Sequence, residues 1–323
     1  MQPTRRAAIG GAIGAALAAT TTAVTPTQAQ AQTARPAPAG WYRFKIGDIE
    51  VTAINDGFFR RPTEGFVRNA NDAEVKQALA DAFLPQDQVF IPFTTLAVNA
   101  GGKLVLLDTG TGDMGPPTAG TWLANFRAAG FDPANVDLIL ISHFHGDHIN
   151  GLRLKDGTAR FPKAQVMVPA AEWAFWMDDA KAAGAPDALK GNFANSRRVF
   201  GPMAKDVTQF EWGKEPVTGI TTIAAPGHTP GHTAFVIHSG NARLIAMSDT
   251  TNNPVLFVRN PDWAAVFDMD AAQAVQTRRR MLDMAAADRL QTSFYHAAFP
   301  ATGFIAREGS GFRMVPKSWN PSA

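Results

Sequence analysis

Cysteine is absent from this 323-residue sequence, which also has no fixed-period repeat and no arginine-rich tract. Without cysteine the chain can form no disulfide, and it can use neither a thiolate nucleophile nor a thiolate metal ligand. Its 30 basic and 28 acidic residues are nearly balanced, and no basic stripe points to nucleic acid as a partner. The composition therefore favours a small neutral or apolar substrate over a polyanion.

The first 31 residues have the pattern of an export signal. Arg5 and Arg6 precede a weakly apolar run over 7–19, and small residues lead to Ala31. The paired arginines resemble a twin-arginine signal, but the bulky apolar residue usual after the pair is missing, so an ordinary secretory signal is the alternative. The run is shorter than the ~20 residues that span a bilayer. We predict a periplasmic or secreted protein without stable membrane insertion after signal removal.

Residues 32–40 form a Pro/Ala-rich linker, and no further linker interrupts 41–323, which we interpret as a single domain. Strands outnumber helices in this domain, and hairpins are mixed with single crossovers. The predicted strands are 44–46, 49–54, 94–99, 103–107, 136–142, 164–168, 220–224, 233–237, 244–247 and, as the last one, 291–295; the predicted helices are 72–83, 121–129, 170–183 and 271–287. We therefore predict an α+β fold, an αββα sandwich of two mixed sheets packed face to face with helices on the outside.

Residues 142–148, Ser-His-Phe-His-Gly-Asp-His, follow a strand that we expect to be buried on both faces. Three imidazoles and one carboxylate cannot share one face of a regular element, but a tight loop can direct them into one small volume. Imidazole and carboxylate suit zinc, and also iron or manganese. The alternative, a polar surface loop, requires three of the seven histidines to fall within six positions by chance. We therefore predict a metal site at this loop.

The segment matches the H-x-H-x-D-H motif of the metallo-β-lactamase superfamily, which this sequence resembles. A predicted strand ending at Asp108 precedes the motif, as in that family. Three further residues follow in the order of the family's other ligands: His228 in the run Pro-Gly-His-Thr-Pro-Gly-His, Asp249 at a strand end, and His296 after the last predicted strand.

The resemblance implies two divalent metal ions, which we expect to be zinc. One ion would be held by His143, His145 and His228, the other by Asp147, His148 and His296, with Asp249 bridging both. A hydroxide shared by the two ions would attack a carbonyl carbon or phosphorus, which makes Asp147 and Asp249 the candidate catalytic residues. Asp108 is expected to orient a ligand histidine, and His232 to hydrogen-bond within its own loop. His238 is expected to be inert.

Two positions narrow the function within the superfamily. Oxygen-reducing members carry Glu where this sequence has His145, so the histidine favours hydrolysis. Antibiotic-cleaving members carry Cys or Ser where it has Asp249, which disfavours β-lactam cleavage. Residues 40–316 resemble more closely the methyl parathion hydrolase family, which implies a homodimer and small neutral aryl esters, lactones or phosphotriesters as substrates.

Two other functions are weighed against this one. Acyl-homoserine lactone hydrolases place a tyrosine near the metals, and neither Tyr42 nor Tyr295 lies in a motif like theirs. A metal-binding protein without catalysis is disfavoured by the complete ligand set. The resemblance also places Trp176 and Phe193 in the substrate pocket, with other aromatics of 170–183 and 257–267 as candidates; the alternative is that these rings fill the core.

Overall fold

The strands of this chain form two mixed sheets. The structure is a computed structural model that describes residues 38–318 and residue 320. In that part of the chain, seven strands make the first sheet, in the order β1 (Trp41–Ile46), β2 (Ile49–Pro62), β3 (Gln88–Ala100), β4 (Lys103–Leu107), β5 (Leu138–Leu140), β6 (Gln165–Pro169) and β7 (Thr208–Phe210). Strands β1 to β4 pair antiparallel, and β4 to β7 pair parallel.

The second sheet contains six strands of the described chain, in the order β13 (Gly311–Pro316), β12 (Thr302–Glu308), β11 (Gln291–Ser293), β10 (Ala242–Ala246), β9 (Thr233–Ser239) and β8 (Ile220–Ala224). Its neighbours pair antiparallel except for β10 and β11, which are parallel.

The helices lie on the outer faces of these sheets. They are α1 (Asp72–Asp81), α2 (Trp122–Ala128), α3 (Gly146–Ile149), α4 (Ala170–Trp176), α5 (Asp179–Ala183), α6 (Asp187–Phe200), α7 (Pro254–Phe257) and α8 (Ala271–Ala287). Helix α1 begins where the sequence predicts, because the Asn71 side chain accepts from Glu74 N while the Glu74 carboxylate accepts from Asn71 N.

Alternating side chains of each central strand serve two apolar layers. Val105 and Leu107 of β4 face the space between the sheets and pack in one cluster with Phe235 of the second sheet. Leu106 between them points outward and packs in a cluster with Trp122 of α2. The second sheet has its own outer layer, in which α8 covers it. Burial on both faces explains the continuous apolar run of β5. The predicted αββα sandwich is confirmed.

Several predicted elements differ from the structure. The predicted helix 170–183 is two helices, because Asp178 leaves the helical conformation and its side chain caps α5 by accepting from Lys181 N at 2.8 Å. The strand predicted at 291–295 is not the last strand of the chain, because the β12–β13 hairpin follows it. Helix α6 was not predicted, because Pro186 directly precedes it and Gly191, Asn192 and Asn195 interrupt its apolar pattern.

The predicted export signal, residues 1–31, lies outside the described residues, as does the linker up to residue 37. Among the described residues, no helix is both long and apolar enough to cross a membrane.

Candidate metal centre

Polar loops follow the carboxyl ends of four strands at one edge of the sandwich. In the first sheet, Asp108 follows β4 and residues 143–148 follow β5. In the second sheet, Asp249 follows β10 and His296 follows β11. Because β4 and β5 are parallel neighbours, and β10 and β11 likewise, the two loops of each sheet leave the same edge. His228 joins them from the loop between β8 and β9.

Asp108 holds the beginning of the H-x-H-x-D-H loop. Its backbone has a φ of +62°, in the left-handed region that Asp tolerates better than most residues. From this position its Oδ1 accepts from Ser142 N at 2.8 Å, and its Oδ2 accepts from Ser142 Oγ at 2.7 Å. The same Oδ2 lies 2.8 Å from His148 Nδ1. Asp108 thus fixes the His148 ring so that its Nε2 faces away from Asp108.

Two glycines allow the His228 loop to lie directly against two helices. A Cβ on Gly227 would be 2.2 Å from Ala274 N of α8, and a Cβ on Gly231 would be 2.3 Å from Glu172 N of α4. No side chain fits at such distances, which accounts for both glycines of the Pro-Gly-His-Thr-Pro-Gly-His run. His228 Nδ1 donates to Asp268 Oδ1 at 3.0 Å, and this bond turns Nε2 towards the other histidines.

Ligand atoms of His143, His145, His228 and Asp249 meet in a group that we call the His145 cluster. His145 Nδ1 lies 3.1 Å from His143 Nε2 and 2.9 Å from His228 Nε2. Asp249 Oδ2 lies 3.3 Å from His228 Nε2 and 3.9 Å from His143 Nε2. Three ring nitrogens and one carboxylate oxygen therefore surround one small volume.

Asp147, His148 and His296 form a second group, which we call the His296 cluster. Asp147 Oδ2 lies 3.3 Å from His148 Nε2 and 3.6 Å from His296 Nε2. Asp249 also faces this group, with Oδ1 at 3.3 Å from His148 Nε2 and Oδ2 at 2.9 Å from His296 Nε2. The Asp249 carboxylate thus lies between the two clusters.

Hydrogen bonds on the far side of the rings direct nitrogen lone pairs at both clusters. Nδ1 of His228 faces Asp268, Nδ1 of His148 faces Asp108, and Nδ1 of His296 lies 2.8 Å from Pro92 O. With the ring proton on Nδ1, each Nε2 carries a lone pair. Among the described residues, His148 Nε2 and Asp249 Oδ1 are buried without a hydrogen-bond partner. Lone pairs and carboxylate oxygens this close repel each other unless a positive charge lies between them.

The close packing of these groups shifts their pKa values in both directions. Burial opposes protonation of His228, yet its hydrogen bonds with Asp249 and Asp268 raise its pKa to about 9. Burial and the neighbouring His228 lower the pKa of His145 to about 3. For Asp147, burial is outweighed by His148, which lowers the carboxyl pKa to about 2. The carboxylates stay ionised and the donor atoms are those that suit zinc, so these residues fit two divalent cations.

A cavity of about 390 Å³ opens above the two clusters. His145, Asp147, His228, Asp249 and His296 form its polar floor. Its walls are apolar or neutral: Phe59, Ile91, Phe93, Met114, Pro116 and Phe267 supply the apolar part, and Thr111, Asn150, Asn192 and Asn252 the polar part. No lysine or arginine of the described chain lines it. Its size and apolar walls are typical of a small-molecule site.

The structure does not place Trp176 and Phe193, which the sequence suggested for the pocket, around this cavity. Both side chains are buried in the cluster between the first sheet and the outer helices, and neither borders the cavity. Trp176 supports the site from below, with its ring 6.4 Å from that of His145. Its Nε1 donates at 2.7 Å to the buried Glu172 carboxylate, which also accepts from Phe144 N and Gly231 N. Glu172 therefore joins the two loops that carry the His145 cluster.

Sequence patterns missed the residues that form the wall. Phe59 and Phe93 come from β2 and β3, far from any ligand in the sequence, and only Phe267 fell within a range considered from the sequence. Asp268 and Glu172 were also missed, because no spacing relates them to the motif histidines. The one local feature of the sequence near these residues is that an acidic residue, Asp268, directly follows an aromatic one, Phe267.

The remaining histidines and the nearby tyrosine do not belong to either cluster. His232 donates from Nδ1 to Ala225 O at 2.9 Å and accepts from Asp249 N at 3.0 Å, so it positions the Asp249 backbone. His238 lies on β9 beside Thr221. Tyr295 packs its ring 3.9 Å from that of His148, but its hydroxyl donates to Asp147 O at 2.6 Å and does not line the cavity.

Residues 88–291, more than half of the chain, match the family model of the metallo-beta-lactamase superfamily. The chain belongs to this superfamily. This confirms the family resemblance of the ligand motifs, which lie in or just beyond the matched range.

Solved structures of this superfamily superpose over most of the chain. A hydrolase described as AbOPH in the beta lactamase superfamily has a TM-score of 0.83 at 26% identity, covering 88% of this chain and 99% of its own. AidC, a dizinc quorum-quenching lactonase solved with the product N-hexnoyl-L-homoserine, has a TM-score of 0.82 at 27% identity, covering 87% of this chain and 98% of its own.

Curated relatives match over a shorter range. The N-acyl homoserine lactonase AttM of Agrobacterium fabrum is 30% identical over 130 residues, which is 38% of this chain and 43% of AttM. The match therefore spans less than half the length of that relative.

Proposed function

We propose that this protein is a metal-dependent hydrolase of small neutral aryl esters, lactones or phosphotriesters, and that it holds two zinc ions. One observation carries the proposal: the two ligand clusters form the floor of a cavity whose walls are apolar or neutral. Apart from the ions, the described lining offers no lysine or arginine that could pair with an anionic group of a substrate. A neutral substrate with an aromatic or other apolar part matches the three phenylalanines of the wall.

The side chains divide the work of such a reaction. The His145 cluster would hold one cation, the His296 cluster the other, and Asp249 would contact both. When bound, the two ions would make a water molecule more acidic and stabilise negative charge on the substrate oxygen. The carboxylates of Asp147 and Asp249 would partly neutralise the ions, while Phe59, Phe93 and Phe267 would cover the reacting groups with apolar surface.

The residues that line the cavity determine which leaving groups can depart. Apart from the ligand residues, no described side chain around the cavity is a carboxylic acid, lysine or tyrosine that could protonate a departing alkoxide. Tyr295 is excluded because its hydroxyl is already bound to Asp147 O. Nitrophenyl esters and aryl lactones should therefore react much faster than alkyl esters of equal size.

Hydrolysis of acyl-homoserine lactones is the second candidate. It is supported by the likeness to the lactonases AttM and AidC. The amides of Asn150, Asn192 and Asn252 give the cavity neutral polar groups of the kind that bind a substrate amide. Comparing kcat/KM on dihydrocoumarin, an aryl lactone, with kcat/KM on N-hexanoyl-homoserine lactone separates the two candidates.

The deciding experiment combines metal analysis with a substrate panel. Purified protein is analysed for bound metals by mass spectrometry and assayed on a nitrophenyl ester, its alkyl counterpart, both lactones and a nitrophenyl phosphotriester. We expect two ions per chain, loss of activity on chelation and recovery with zinc. Full activity in a protein free of metal would reject the proposal, and equal rates on alkyl and aryl esters would reject the argument from the leaving group.

We also propose export to the periplasm or the medium, and assembly as a homodimer. Export is supported by the pattern of residues 1–31. Sedimentation of the mature protein tests the dimer.

A further inference from the structure

A buried guanidinium lies behind the His145 cluster. The Arg278 side chain of α8 is fully buried. Its Nε donates to Thr250 O at 2.9 Å, and its Nη1 donates to Pro261 O and Trp263 O. Its Nη2 donates to Asp268 Oδ2 at 3.1 Å. Four acceptors, from Thr250, the 261–263 turn and Asp268, thus converge on one cation that solvent does not reach.

Through these contacts Arg278 reaches two residues of the His145 cluster. Asp268 accepts from Arg278 with Oδ2 and from His228 Nδ1 with Oδ1 at 3.0 Å, so one carboxylate links the guanidinium to a ligand ring. Thr250, whose carbonyl accepts from Nε, directly follows Asp249. By contrast, the partners that fix the His148 and His296 rings of the His296 cluster are Asp108 and Pro92 O, neither of which contacts Arg278.

The charge and the shape of Arg278 both matter for this arrangement. Asp268 is 1% exposed, and Arg278 Nη2 is the cationic partner of its Oδ2. Without the guanidinium the carboxylate would lose the bond that fixes its orientation, and the His228 ring that it holds through Oδ1 would lose its own. Lysine could supply the charge, but it lacks the planar fork that serves Thr250, the 261–263 turn and Asp268 together.

We propose that Arg278 is a positioning residue for the metal ion of the His145 cluster. It fixes His228 through Asp268, and it fixes the Asp249 segment through Thr250. The inference rests on the proposed two-ion centre, and it adds that the ring of His228, which belongs to one cluster only, has a support of its own in the fold. Loss of Arg278 should therefore loosen the ion of the His145 cluster more than the ion of the His296 cluster.

The test measures metal retention rather than turnover. Zinc-loaded wild-type protein and Arg278→Met are dialysed against increasing chelator, and the ions left per chain are counted by mass spectrometry. We expect Arg278→Met to release one ion at a chelator concentration about 10- to 100-fold lower than wild type, which is the usual effect of losing a group that orients a ligand. The other ion, whose His148 and His296 rings do not depend on Arg278, should be loosened less. Arg278→Lys should lie between the two proteins.

Paired variants separate this role from a general loss of stability. Asp108→Asn, which disturbs His148, should loosen the other ion, and its effect should add to that of Arg278→Met. The double variant Arg278→Met with Asp268→Asn removes both buried charges, so it folds without an unpaired charge, and it should lose no more metal than Arg278→Met alone.

Three outcomes are decisive. Equal loosening of both ions in the Arg278 variants, or metal retention like wild type with only a lower thermal midpoint, would overturn the role of Arg278 and leave the proposed function standing. A wild-type protein that binds no divalent cation would overturn both.

Discussion

At the scale of single residues, the Asp249 carboxylate is the group that both clusters share. Its oxygens lie 3.3 Å or less from nitrogens of His148, His228 and His296. We expect Asp249→Asn to lose metal from both clusters, because the amide keeps the shape but neither the charge nor the second anionic oxygen. Activity should fall by more than the about 10- to 100-fold typical of residues that only touch a ligand. Metal analysis and kcat/KM on one aryl ester check this, and a variant that keeps two ions and full activity would contradict it.

Asn252 differs from its neighbour Asn253 in how its amide is used. Asn253 caps α7, with Oδ1 accepting from Val255 N and Leu256 N. Asn252 Oδ1 is buried without a partner among the described residues, and the residue borders the cavity. An amide oxygen that the fold leaves unpaired at a cavity wall is suited to accept from a substrate amide N–H.

We therefore expect opposite effects from two matched variants. Asn252→Ala should lower kcat/KM about two- to tenfold, the worth of one hydrogen bond, with little change in thermal midpoint. Asn253→Ala should lower the free energy of unfolding by about 0.5–2 kcal/mol through the lost cap, with a smaller effect on kcat/KM. Assays on N-hexanoyl-homoserine lactone, which carries an amide N–H, and thermal unfolding of both proteins decide. Unchanged kinetics in Asn252→Ala would remove that residue from the substrate site.

At the scale of elements, the aromatic side chains Trp176 of α4 and Phe193 of α6 support the metal loops instead of lining the cavity. The Trp176 ring packs against Phe193 of α6, and its Nε1 satisfies Glu172. The burial of Glu172 raises its pKa, so this carboxylate depends on its three donors to remain in the core. Phe267, on the segment before α8, is partly exposed and borders the cavity.

We therefore expect truncation of Trp176 to affect stability and truncation of Phe267 to affect substrate binding. Trp176→Ala should lower the free energy of unfolding by about 3–5 kcal/mol through the cavity it leaves, and more if Glu172 loses its third donor. Phe267→Ala should raise KM for aryl substrates while changing kcat little, because an apolar wall mainly supplies uniform binding. Denaturant titration and steady-state kinetics measure both effects; a KM effect from Trp176→Ala without loss of stability would show that its ring does reach the substrate.

At the scale of the whole molecule, the metal centre connects the two sheets. His143, Asp147 and His148 follow the first sheet, while Asp249 and His296 follow the second. Ions bound by these residues would cross-link the sandwich at one edge. Bound ligand stabilises the folded state by about 2.7 kcal/mol at a free concentration 100 times its Kd.

Chelation should consequently lower the thermal midpoint, and zinc should restore it. The control is Asp249→Asn, whose midpoint should respond less to chelator because it has less metal to lose. Calorimetry with and without chelator measures this. A midpoint that does not change in the wild type would argue against metal as a link between the sheets.

The proposed export is a second property of the whole chain, and we expect it to depend on residues 1–31. Arg5→Lys combined with Arg6→Lys should retain the precursor inside the cell if the route is the twin-arginine one, because that route recognises the arginine pair. Fractionation with antibody detection of the mature form provides the measurement. Normal export of the double variant would indicate the general secretory route.

The sequence by itself determined the αββα layers of the fold and the candidate metal ligands. Strand and helix periodicity reflect burial on one or both faces, so the αββα order could be predicted before any contact was known. The ligands could be predicted because metal chemistry restricts the residue types, and because a strand-end loop places His143, His145 and His148 within six positions.

Only the tertiary structure decided which groups surround those ligands. Phe59, Phe93 and Phe267 meet at the cavity from three distant segments, whereas Trp176, an equally plausible aromatic from the sequence, fills the core. The sequence does not distinguish an aromatic residue of a cavity wall from one of the core, because both environments favour apolar side chains. The pairing of Asp268 with His228 and Arg278 could not be predicted from the sequence either. A buried charge is stabilised by its partner, and that partner is known only from the folded structure.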